Sequence, residues 1–342
     1  MENSPRKILI IQTAFLGDVV LTTPLVKAVR ENFPQSFISV LLIPQTSEVF
    51  KNNAHINQLI LYDKKGKQKG IGNFLKLVDF VRKEEFDLAI LPHRSLHSAF
   101  LAYLSKIPRR IGFHSASGSF LYTDEVTYRT NLHEIDRNLS LLSPLGCSRR
   151  NIKLQLFPAE EDFAWADEFL NQSGVDKNKK LAAIFPSSAW ATKRWTIEGF
   201  ADVAERLIQE ANAEVLLLGS NKDEKLLLKI SSIMREKPII PIGKTNLLRS
   251  LALVSKCSVV LSNDSAPVHM SVALGKPVVV IFGSTLPEFG FAPYGEHHTI
   301  IQKNIYCRPC GIHGKKVCPE IHFKCMKDIS PDETFQAVKK YL

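Results

Sequence analysis

Several common sequence signatures are missing from this chain, and each absence counts against a class of protein. No G-x-G-x-x-G follows the first predicted strand, so the fingerprint of dinucleotide-binding domains is missing. Gly243-Lys244-Thr245 resembles the end of a P-loop, but Pro238 stands where the first glycine is required. An H-E-x-x-H zinc motif and a G-x-S-x-G nucleophile elbow are also missing. Oxidoreductase, nucleoside triphosphatase and hydrolase functions are therefore disfavoured.

The chain is also poor in cysteine and in long apolar runs. Its longest apolar stretches, such as 277–282, are far shorter than the roughly 18–20 residues that span a bilayer. The segment after Lys7 predicts a strand that leads at once into Gly17-Asp18, rather than a signal peptide. Six cysteines in 342 residues do not indicate a disulfide scaffold, although four of them cluster near the C-terminus.

What the chain does contain suits two domains with an anionic partner. Its 342 residues are enough for two cores, and 45% hydrophobic with 23% charged residues is a globular composition. The net charge of +10 is local: residues 64–110 hold eleven basic and four acidic side chains, and 303–327 hold six and one. Each region is either a solvated lysine-rich surface or a surface that faces phosphates or an anionic membrane.

Short apolar runs alternate with amphipathic stretches, which is typical of parallel sheets covered by helices. The first series predicts strands at 7–12, 37–43, 56–62, 86–91 and 110–113, and helices at 18–32, 73–84 and 95–105. The second predicts strands at 181–185, 214–218, 239–242, 258–261 and 278–282, and helices at 197–211, 223–234, 246–256, 267–274 and 331–342. We predict an α/β fold of two Rossmann-like doubly wound domains, 1–170 and 171–342, facing a central cleft. Ligands of such sheets bind beyond the carboxyl ends of the strands.

Gly17 and Asp18 stand where the first strand meets the first helix. The structural interpretation is a tight turn at Gly17 and a helix-capping aspartate, which contributes about 1 kcal/mol. The functional interpretation is a carboxylate at the cleft, kept ionised by the helix N-terminus and able to act as a base. Position alone leaves both interpretations open.

Two loops of the second domain carry hydrogen-bond donors. The segment 187–195 contains Ser187, Ser188, Lys193 and two tryptophans, and it is either a capped loop or a diphosphate site. The segment 262–269 opens a helix after a strong strand, so its free N–H groups could bind an anion. Within it, Asp264 either caps the helix or holds a ligand hydroxyl, and His269 lies on the first turn.

Four cysteines follow at short spacing, with two, seven and six residues between them. Four thiolates could hold zinc tetrahedrally, although the spacing is not that of paired C-x-x-C knuckles. The alternatives to a structural zinc site are free thiols or a redox-sensitive pair. The residues are Cys307, Cys310, Cys318 and Cys325.

Taken together, these segments resemble glycosyltransferase family 9, the ADP-heptose:lipopolysaccharide heptosyltransferases. The order and spacing of the matching segments are specific, and the similarity runs over nearly the whole chain. The segments are 7–24, Pro108-Arg-Arg-Ile-Gly-Phe113, His133-Glu-Ile-Asp-Arg-Asn-Leu139 and 262–277.

The resemblance implies a GT-B fold, with the acceptor bound by the N-terminal domain and the nucleotide-sugar by the C-terminal domain. It implies inverting transfer without a required cofactor, with Asp18 as general base and Lys193 on the diphosphate. Ala266 stands where the family commonly has glycine. The other implied donor-binding residues are Ser187, Ser188, Asp264, Ser265 and His269, and the acceptor-side candidates are Gly17, Thr22, Arg94, Arg109 and Arg110.

The resemblance also implies partners and a location. The expected partners are ADP-heptose, a lipid A–core acceptor and the anionic inner membrane, which the protein would bind peripherally from the cytoplasm. The alternatives are a GT-B transferase for another sugar and acceptor, and a non-catalytic nucleotide-sugar-binding protein. A nucleic-acid partner is disfavoured because no basic motif interleaved with aromatic residues is present.

Overall fold

The computed structural model describes residues 4–147 and 153–342 of the chain. The chain divides into two compact units, Met1–Phe157 (unit 1) and Pro158–Leu342 (unit 2). The division lies earlier than the predicted 170/171, because the residues just after it form a helix that packs within unit 2. None of the described helices is both long enough and apolar enough to cross a bilayer.

Unit 1 is built on a six-stranded sheet in which every strand pairing is parallel. The strand order is β3-β2-β1-β4-β5-β6. The strands are β1 (Lys7–Ile11), β2 (Phe37–Leu42), β3 (Gln58–Leu61), β4 (Leu88–Leu91), β5 (Arg109–Phe113) and β6 (Asp124–Val126). The helices are α1 (Leu16–Val20), α2 (Thr23–Asn32), α3 (Ile71–Lys83), α4 (Leu96–Leu104) and α5 (Glu134–Ser140).

Unit 2 contains a five-stranded parallel sheet in the order β11-β10-β9-β7-β8. Its strands are β7 (Leu181–Phe185), β8 (Glu214–Leu217), β9 (Val259–Asn263), β10 (Val278–Phe282) and β11 (His298–Gln302). Its helices are α6 (Glu160–Gln172), α7 (Ile197–Gln209), α8 (Glu224–Ile233), α9 (Leu247–Lys256), α10 (Ala266–Ala273), α11 (Lys324–Lys327) and α12 (Pro331–Lys339). Ser330 caps α12 as predicted, since its side chain accepts from the N–H of Glu333.

The apolar runs of the sequence form the central strands because these are covered on both faces. All residues of β4, β7, β9 and β10 are buried. The predicted α/β class with two parallel sheets is confirmed. The alternation of apolar and amphipathic segments therefore predicted the strands that form the centres of the two sheets.

The predicted helix 18–32 is in fact two helices, α1 and α2. Pro24 has no N–H for the carbonyl of Val20, and the hydroxyl of Thr23 donates to that carbonyl instead, at 2.8 Å. The hydroxyl of Thr22 similarly donates to the carbonyl of Asp18 at 2.8 Å. The two threonines thus satisfy the carbonyls at the break, so the chain turns without leaving them unbonded.

Other differences concern short or peripheral elements. β6, β11, α5 and α6 were not predicted, and the predicted strand 239–242 is reduced to a single bridge between Ile239 and Leu216. α6 crosses the predicted limit between residues 170 and 171, and it packs on α9 through the core of unit 2. Sequence periodicity identifies such elements poorly, because short edge strands and a helix at a boundary bury little of their surface.

Candidate functional site

The donor-rich loops of unit 2 follow three strands that are neighbours in its sheet. Because β7, β9 and β10 run parallel, the loops after Phe185, Asn263 and Phe282 leave the same edge. Six side chains at these strand ends make hydrogen bonds or an ion pair from one loop to another, and we call them the strand-end cluster: Thr192, Lys193, Asn263, Asp264, Ser284 and Thr285.

An ion pair lies at the centre of the strand-end cluster. The Nζ of Lys193 is 2.5 Å from Oδ2 of Asp264, and the two side chains are only 14% and 7% exposed. The hydroxyl of Thr285 donates to the same carboxylate oxygen at 2.6 Å. Asp264 therefore does not cap α10; Ser265 occupies the N-cap position, without a side-chain capping bond.

Asn263, at the end of β9, bonds to both ends of the loop that carries Lys193. Its Oδ1 accepts from the N–H of Trp195 at 2.9 Å, and its Nδ2 donates to the carbonyl of Pro186 at 2.8 Å. Both bonds are buried, so this amide fixes the two ends of the segment that carries Lys193. Asn263 therefore helps to fix the position of Lys193 relative to β9.

The other predicted residues of unit 2 lie around the same cluster. Ser188 is buried and its carbonyl accepts from Nε of Arg194 at 2.7 Å, while the carbonyl of Ser187 accepts from the hydroxyl of Ser265 at 3.5 Å. Ala266 is the first residue of α10, and His269 is buried in that helix. The structure therefore brings together the predicted donor-binding set: Ser187, Ser188, Lys193, Asp264, Ser265, Ala266 and His269.

The cysteine-bearing segment 303–327 also reaches the strand-end cluster. The N–H of Lys315 donates to the hydroxyl of Thr192 at 2.7 Å, and the N–H of Cys310 donates to the carbonyl of Ser284 at 2.9 Å. The guanidinium of Arg308 donates to the carbonyl of Thr285 at 2.7 Å. The second basic region of the sequence is therefore part of the surroundings of Lys193.

The described residues of this segment form no zinc site in the structure. All four cysteines are free, and across residues 4–147 and 153–342 no group of three or more His, Cys, Asp or Glu side chains could hold a metal ion. Cys310 directs its Sγ to the carbonyl of Cys307 at 3.5 Å, and Cys325 is buried in the core. Burial raises the pKa of the Cys325 thiol to about 11, which keeps it protonated at neutral pH.

In unit 1, Asp18 lies at the carboxyl edge of the sheet. It is half-buried in the first turn of α1, whose N-cap is Phe15, so neither the capping role nor a separate turn at Gly17 is observed. Thr22 is buried and joins Asp18 to β1, since its hydroxyl donates to the Asp18 carbonyl and accepts from Gln12 at 2.8 Å. Thr22 therefore positions the backbone of Asp18.

The segment 133–139 is a support for the same region. Asn138 donates to the carbonyl of Leu21 at 3.2 Å, next to the junction of α1 and α2. Arg137 and Glu134 form a buried ion pair at 3.0 Å, with Tyr128 donating to Glu134 at 2.7 Å. Burial raises the pKa of Glu134, whereas these two partners act in the opposite direction.

The arginines predicted on the acceptor side separate into two groups. Arg94 follows β4 at the carboxyl edge, where its guanidinium lies 4.1 Å from the centre of the Tyr128 ring. Arg109 and Arg110 begin β5 and so lie at the opposite, amino edge of the sheet. Arg109 pairs with Asp124 at 3.0 Å and Arg110 donates to the carbonyl of Leu121 at 2.7 Å, so both hold loops together.

A polar cluster at the carboxyl edge, made by Thr13, Lys64 and His93, was not predicted residue by residue, although Lys64 and His93 lie in the basic region 64–110. The Nζ of Lys64 donates to the hydroxyl of Thr13 at 2.9 Å, and Nδ1 of His93 lies 3.2 Å from that hydroxyl. Burial lowers the pKa of His93 to about 4, with smaller contributions from Lys64 and Arg94. These residues follow the ends of β1, β3 and β4, and that shared position is the signal that could have identified them.

The fold is shared with solved glycosyltransferases. A glycosyltransferase family 9 structure from Veillonella parvula DSM 2008 has a TM-score of 0.90 with 26% identity, covering 100% of this chain and 98% of that one. The E. coli structure described as ADP-heptose lps heptosyltransferase II has a TM-score of 0.78 with 22% identity, covering 98% of both chains. These similarities define the class: the protein is a glycosyltransferase of the GT-B fold.

The family follows from the sequence profile that matches the chain. The profile of "Glycosyltransferase family 9 (heptosyltransferase)" matches residues 74–320, so the chain belongs to this family. A curated relative, "Lipopolysaccharide core heptosyltransferase OpsX" of Haemophilus influenzae, is 27% identical over an alignment of 304 residues that covers 87% of this chain and 84% of the relative. The predicted family and class of enzyme are confirmed.

Proposed function

We propose that this glycosyltransferase moves a heptose from ADP-heptose to the inner core of a lipopolysaccharide precursor. The names of its relatives include ADP-heptose and the lipopolysaccharide core. The strand-end cluster of unit 2 also suits a nucleoside diphosphate. The observation that supports the donor most directly is Lys193, a partly buried ammonium at the converging ends of β7, β9 and β10.

The leaving group of this reaction is a diphosphate, on which negative charge accumulates as the glycosidic bond breaks. An ammonium and nearby hydroxyls that are already in position stabilise such charge without reorganising. Lys193 has three N–H donors, and Asp264 uses one of them, so the others remain for phosphate oxygens. We propose that these groups, with the start of α10, provide the charge compensation that a divalent cation provides in other transferases.

Asp18 is the proposed general base of an inverting transfer. Its carboxylate would accept the proton of the acceptor hydroxyl as that oxygen attacks the anomeric carbon, and ADP would leave from the opposite face of the sugar. General-base catalysis of this kind accelerates reactions by roughly 10²- to 10⁴-fold. Gln12 and Thr22 support the proposal, because they fix the backbone of Asp18 to the end of β1.

The acceptor is proposed to bind at the carboxyl edge of unit 1. A lipid A–core acceptor carries phosphate and carboxylate groups, which suit the Lys64, His93 and Arg94 side chains at that edge. Arg109 and Arg110 are not part of this proposal, because they lie at the other edge. We therefore also propose that the reaction takes place at the cytoplasmic face of the inner membrane, where a lipid-linked acceptor would lie.

Two variants separate the proposed roles of base and donor ligand. Asp18→Asn is expected to lower the transfer rate at least 100-fold while the dissociation constant of ADP stays within twofold of the wild type. Lys193→Ala is expected to weaken ADP binding about 10- to 100-fold, since it removes charge-assisted hydrogen bonds. Asp79→Asn and Lys225→Ala, on exposed positions of α3 and α8, are the matched controls.

Titration calorimetry with ADP and a transfer assay with ADP-heptose provide the two measurements. Near-normal turnover of Asp18→Asn would remove this residue as the base, and unchanged ADP affinity in Lys193→Ala would remove the donor assignment. GDP-, UDP- and dTDP-sugars tested beside ADP-heptose identify the donor. Tighter binding of one of these would point to a GT-B transferase for another sugar.

A further inference from the structure

Unit 1 exposes a set of large apolar side chains on two neighbouring helices. On α3, Ile71 and Leu75 are exposed one turn apart, and on α4 the exposed residues Leu96, Phe100 and Tyr103 follow the i, i+4, i+7 spacing of a single stripe. Ile71 is 74% exposed, which is far from the burial usual for isoleucine. These helices therefore cover the sheet with one face and present apolar groups on the other.

The two helices and the turn that carries Phe120 pack side by side. The rings of His97 and Phe74 lie 4.3 Å apart between centroids, which joins the first turns of α4 and α3. A Cβ added to Gly118 would lie 2.5 Å from Cβ of Ala99, so the turn that carries Phe120 is pressed against α4. Phe120 is 71% exposed beside that helix. We call Ile71, Leu75, Leu96, Phe100, Tyr103 and Phe120 the apolar patch.

Basic residues border the apolar patch at the end nearest the carboxyl edge. Lys65, Lys67 and Lys69 are exposed on the loop that enters α3, and Lys76 is exposed on its second turn. The one acidic side chain of this loop, Asp63, is used locally and accepts from the N–H groups of Gly66 and Lys67. The acidic residues Asp79, Glu84 and Glu85 lie further along, toward the C-terminal end of α3. Positive charge is therefore concentrated beside the N-terminal turns.

We infer that the apolar patch and the lysines beside it bind the surface of a bilayer that contains anionic phospholipid. Apolar side chains on a helix surface insert at the boundary of headgroups and acyl chains, and lysines beside them bind anionic headgroups. A group of exposed apolar side chains with lysines at one end is unlike the scattered exposed residues of a monomeric protein. The inference rests on the proposed function only in naming the bilayer, which is taken to be the membrane that contains the lipid-linked acceptor.

The position of the patch suits that acceptor. The N-terminal turns of α3 and α4 follow β3 and β4, so they leave the sheet at the same edge as Thr13, His93 and Arg94. A bilayer that contacts Ile71 and Leu96 lies beside the edge where the acceptor is proposed to bind. The lipid anchor could then remain in the membrane while the sugar part reaches unit 1.

Tryptophan fluorescence tests insertion directly in the full-length protein. Phe100→Trp places an indole on the patch, and Leu228→Trp places one on α8, where the exposed Leu228 is flanked by both Lys225 and Glu224. Vesicles of phosphatidylcholine mixed with phosphatidylglycerol are expected to shift the emission of Phe100→Trp to shorter wavelength and to leave that of Leu228→Trp unchanged. No shift in Phe100→Trp would overturn the inference.

Vesicle cosedimentation tests the role of charge. Because each basic residue near an anionic surface contributes roughly a fivefold factor, Lys65→Glu with Lys67→Glu is expected to weaken binding at least about 20-fold. The control pair, Lys225→Glu with Lys229→Glu on α8, is expected to retain wild-type binding. Binding that is equal on pure phosphatidylcholine, or insensitive to the Lys65 and Lys67 changes, would contradict the inference.

Two further measurements separate this inference from its alternatives. Leu96→Ser with Phe100→Ser is expected to lose vesicle binding but to retain ADP affinity and the mass of the wild type in light scattering. A wild-type dimer that this double variant dissociates would assign the patch to a second copy of the chain. Wild-type transfer activity without vesicle binding would overturn the membrane surface alone, whereas vesicle binding without transfer would overturn only the proposed function.

Discussion

The Asp264 carboxylate is shared between an ammonium and a hydroxyl. Oδ2 accepts from Thr285 at 2.6 Å and pairs with Lys193 at 2.5 Å. Breaking a buried ion pair usually leaves one charge uncompensated, which costs several kcal/mol. Thr285 lowers that cost, because its hydroxyl still donates to the Asp264 carboxylate when Lys193 turns toward a diphosphate. The Lys193→Ala variant is expected to fold for the same reason.

The His93 imidazole is neutral in the folded protein and makes stability depend on pH. Its folded pKa of about 4 lies below the ordinary value of 6.5, chiefly because of burial. Its contribution to stability is therefore full above pH 6.5 and is lost as the pH falls toward 4, since only the unfolded chain binds the proton. From pH 7 to pH 5 this amounts to about 2 kcal/mol.

Urea unfolding of the wild type and of His93→Gln at pH 7 and pH 5 measures this contribution. The wild type is expected to lose about 2 kcal/mol more of its free energy of unfolding than the variant between these pH values. The difference between the two proteins removes the contributions of other histidines, such as His97, whose pKa burial also lowers. Parallel loss in both proteins would show that His93 is not the group responsible.

Some site residues could be predicted from the sequence and others could not. Lys193 and Asp264 stand in loops that directly follow strong apolar strands, so their convergence follows from parallel pairing. Thr285 follows β10 in the same way, but a lone threonine carries no motif. Arg109 and Arg110, the acceptor-side candidates, stand at the start of a strand and so lie at its amino edge. Of the two interpretations of Asp18, the capping role is not observed, because the helix begins at Leu16.

At the scale of elements, the cysteine-bearing segment acts as a support for the loop of Lys193. Gly314 lies within this segment at φ +78°, and a Cβ there would lie 2.9 Å from Cγ of Lys193 and 3.1 Å from the hydroxyl of Thr192. Neither the close approach nor the left-handed backbone suits another residue. No sequence motif indicates this role, because it depends on contacts between residues more than 100 positions apart.

Gly314→Ala is expected to weaken ADP binding about tenfold or more, because the new methyl group displaces the Lys193 side chain. The matched control is Gly243→Ala, which has a similar backbone at φ +75° but no atom within 4 Å of the added Cβ. Both variants should lose roughly 1 kcal/mol of stability from the left-handed backbone. Titration calorimetry and thermal unfolding measure the two quantities.

Equal ADP affinities for the two glycine variants would contradict this interpretation. The backbone penalty is common to both, so it cannot account for a difference between them. A difference confined to ADP binding would show that the cysteine-bearing segment positions Lys193. It would give the second basic region of the sequence a structural role beside the loop that carries Lys193.

At the scale of the whole molecule, each unit has its own core. One core cluster of unit 1 lies between β1, β3, β4 and the helices α3 and α4, whereas the largest in unit 2 lies beneath α7, α8 and α12. Separate cores predict that the two units can unfold as separate cooperative transitions. The length of the chain and its two series of strands already indicated two domains. The predicted limit between them fell within α6, whereas the division in the structure precedes that helix.

The tryptophans allow the units to be followed separately. All three, Trp165, Trp190 and Trp195, belong to unit 2, so tryptophan fluorescence reports its unfolding, whereas far-UV circular dichroism reports both units. ADP bound by the strand-end cluster should stabilise unit 2 by about 2.7 kcal/mol at 100 times its dissociation constant.

We expect ADP to raise the urea concentration at the midpoint of the fluorescence transition and to leave one component of the dichroism transition in place. Lys193→Ala should abolish most of the shift at the same ADP concentration. Fluorescence and dichroism curves that coincide with and without ADP would show that the two cores unfold together, because stabilising one of two independent units must separate the two signals.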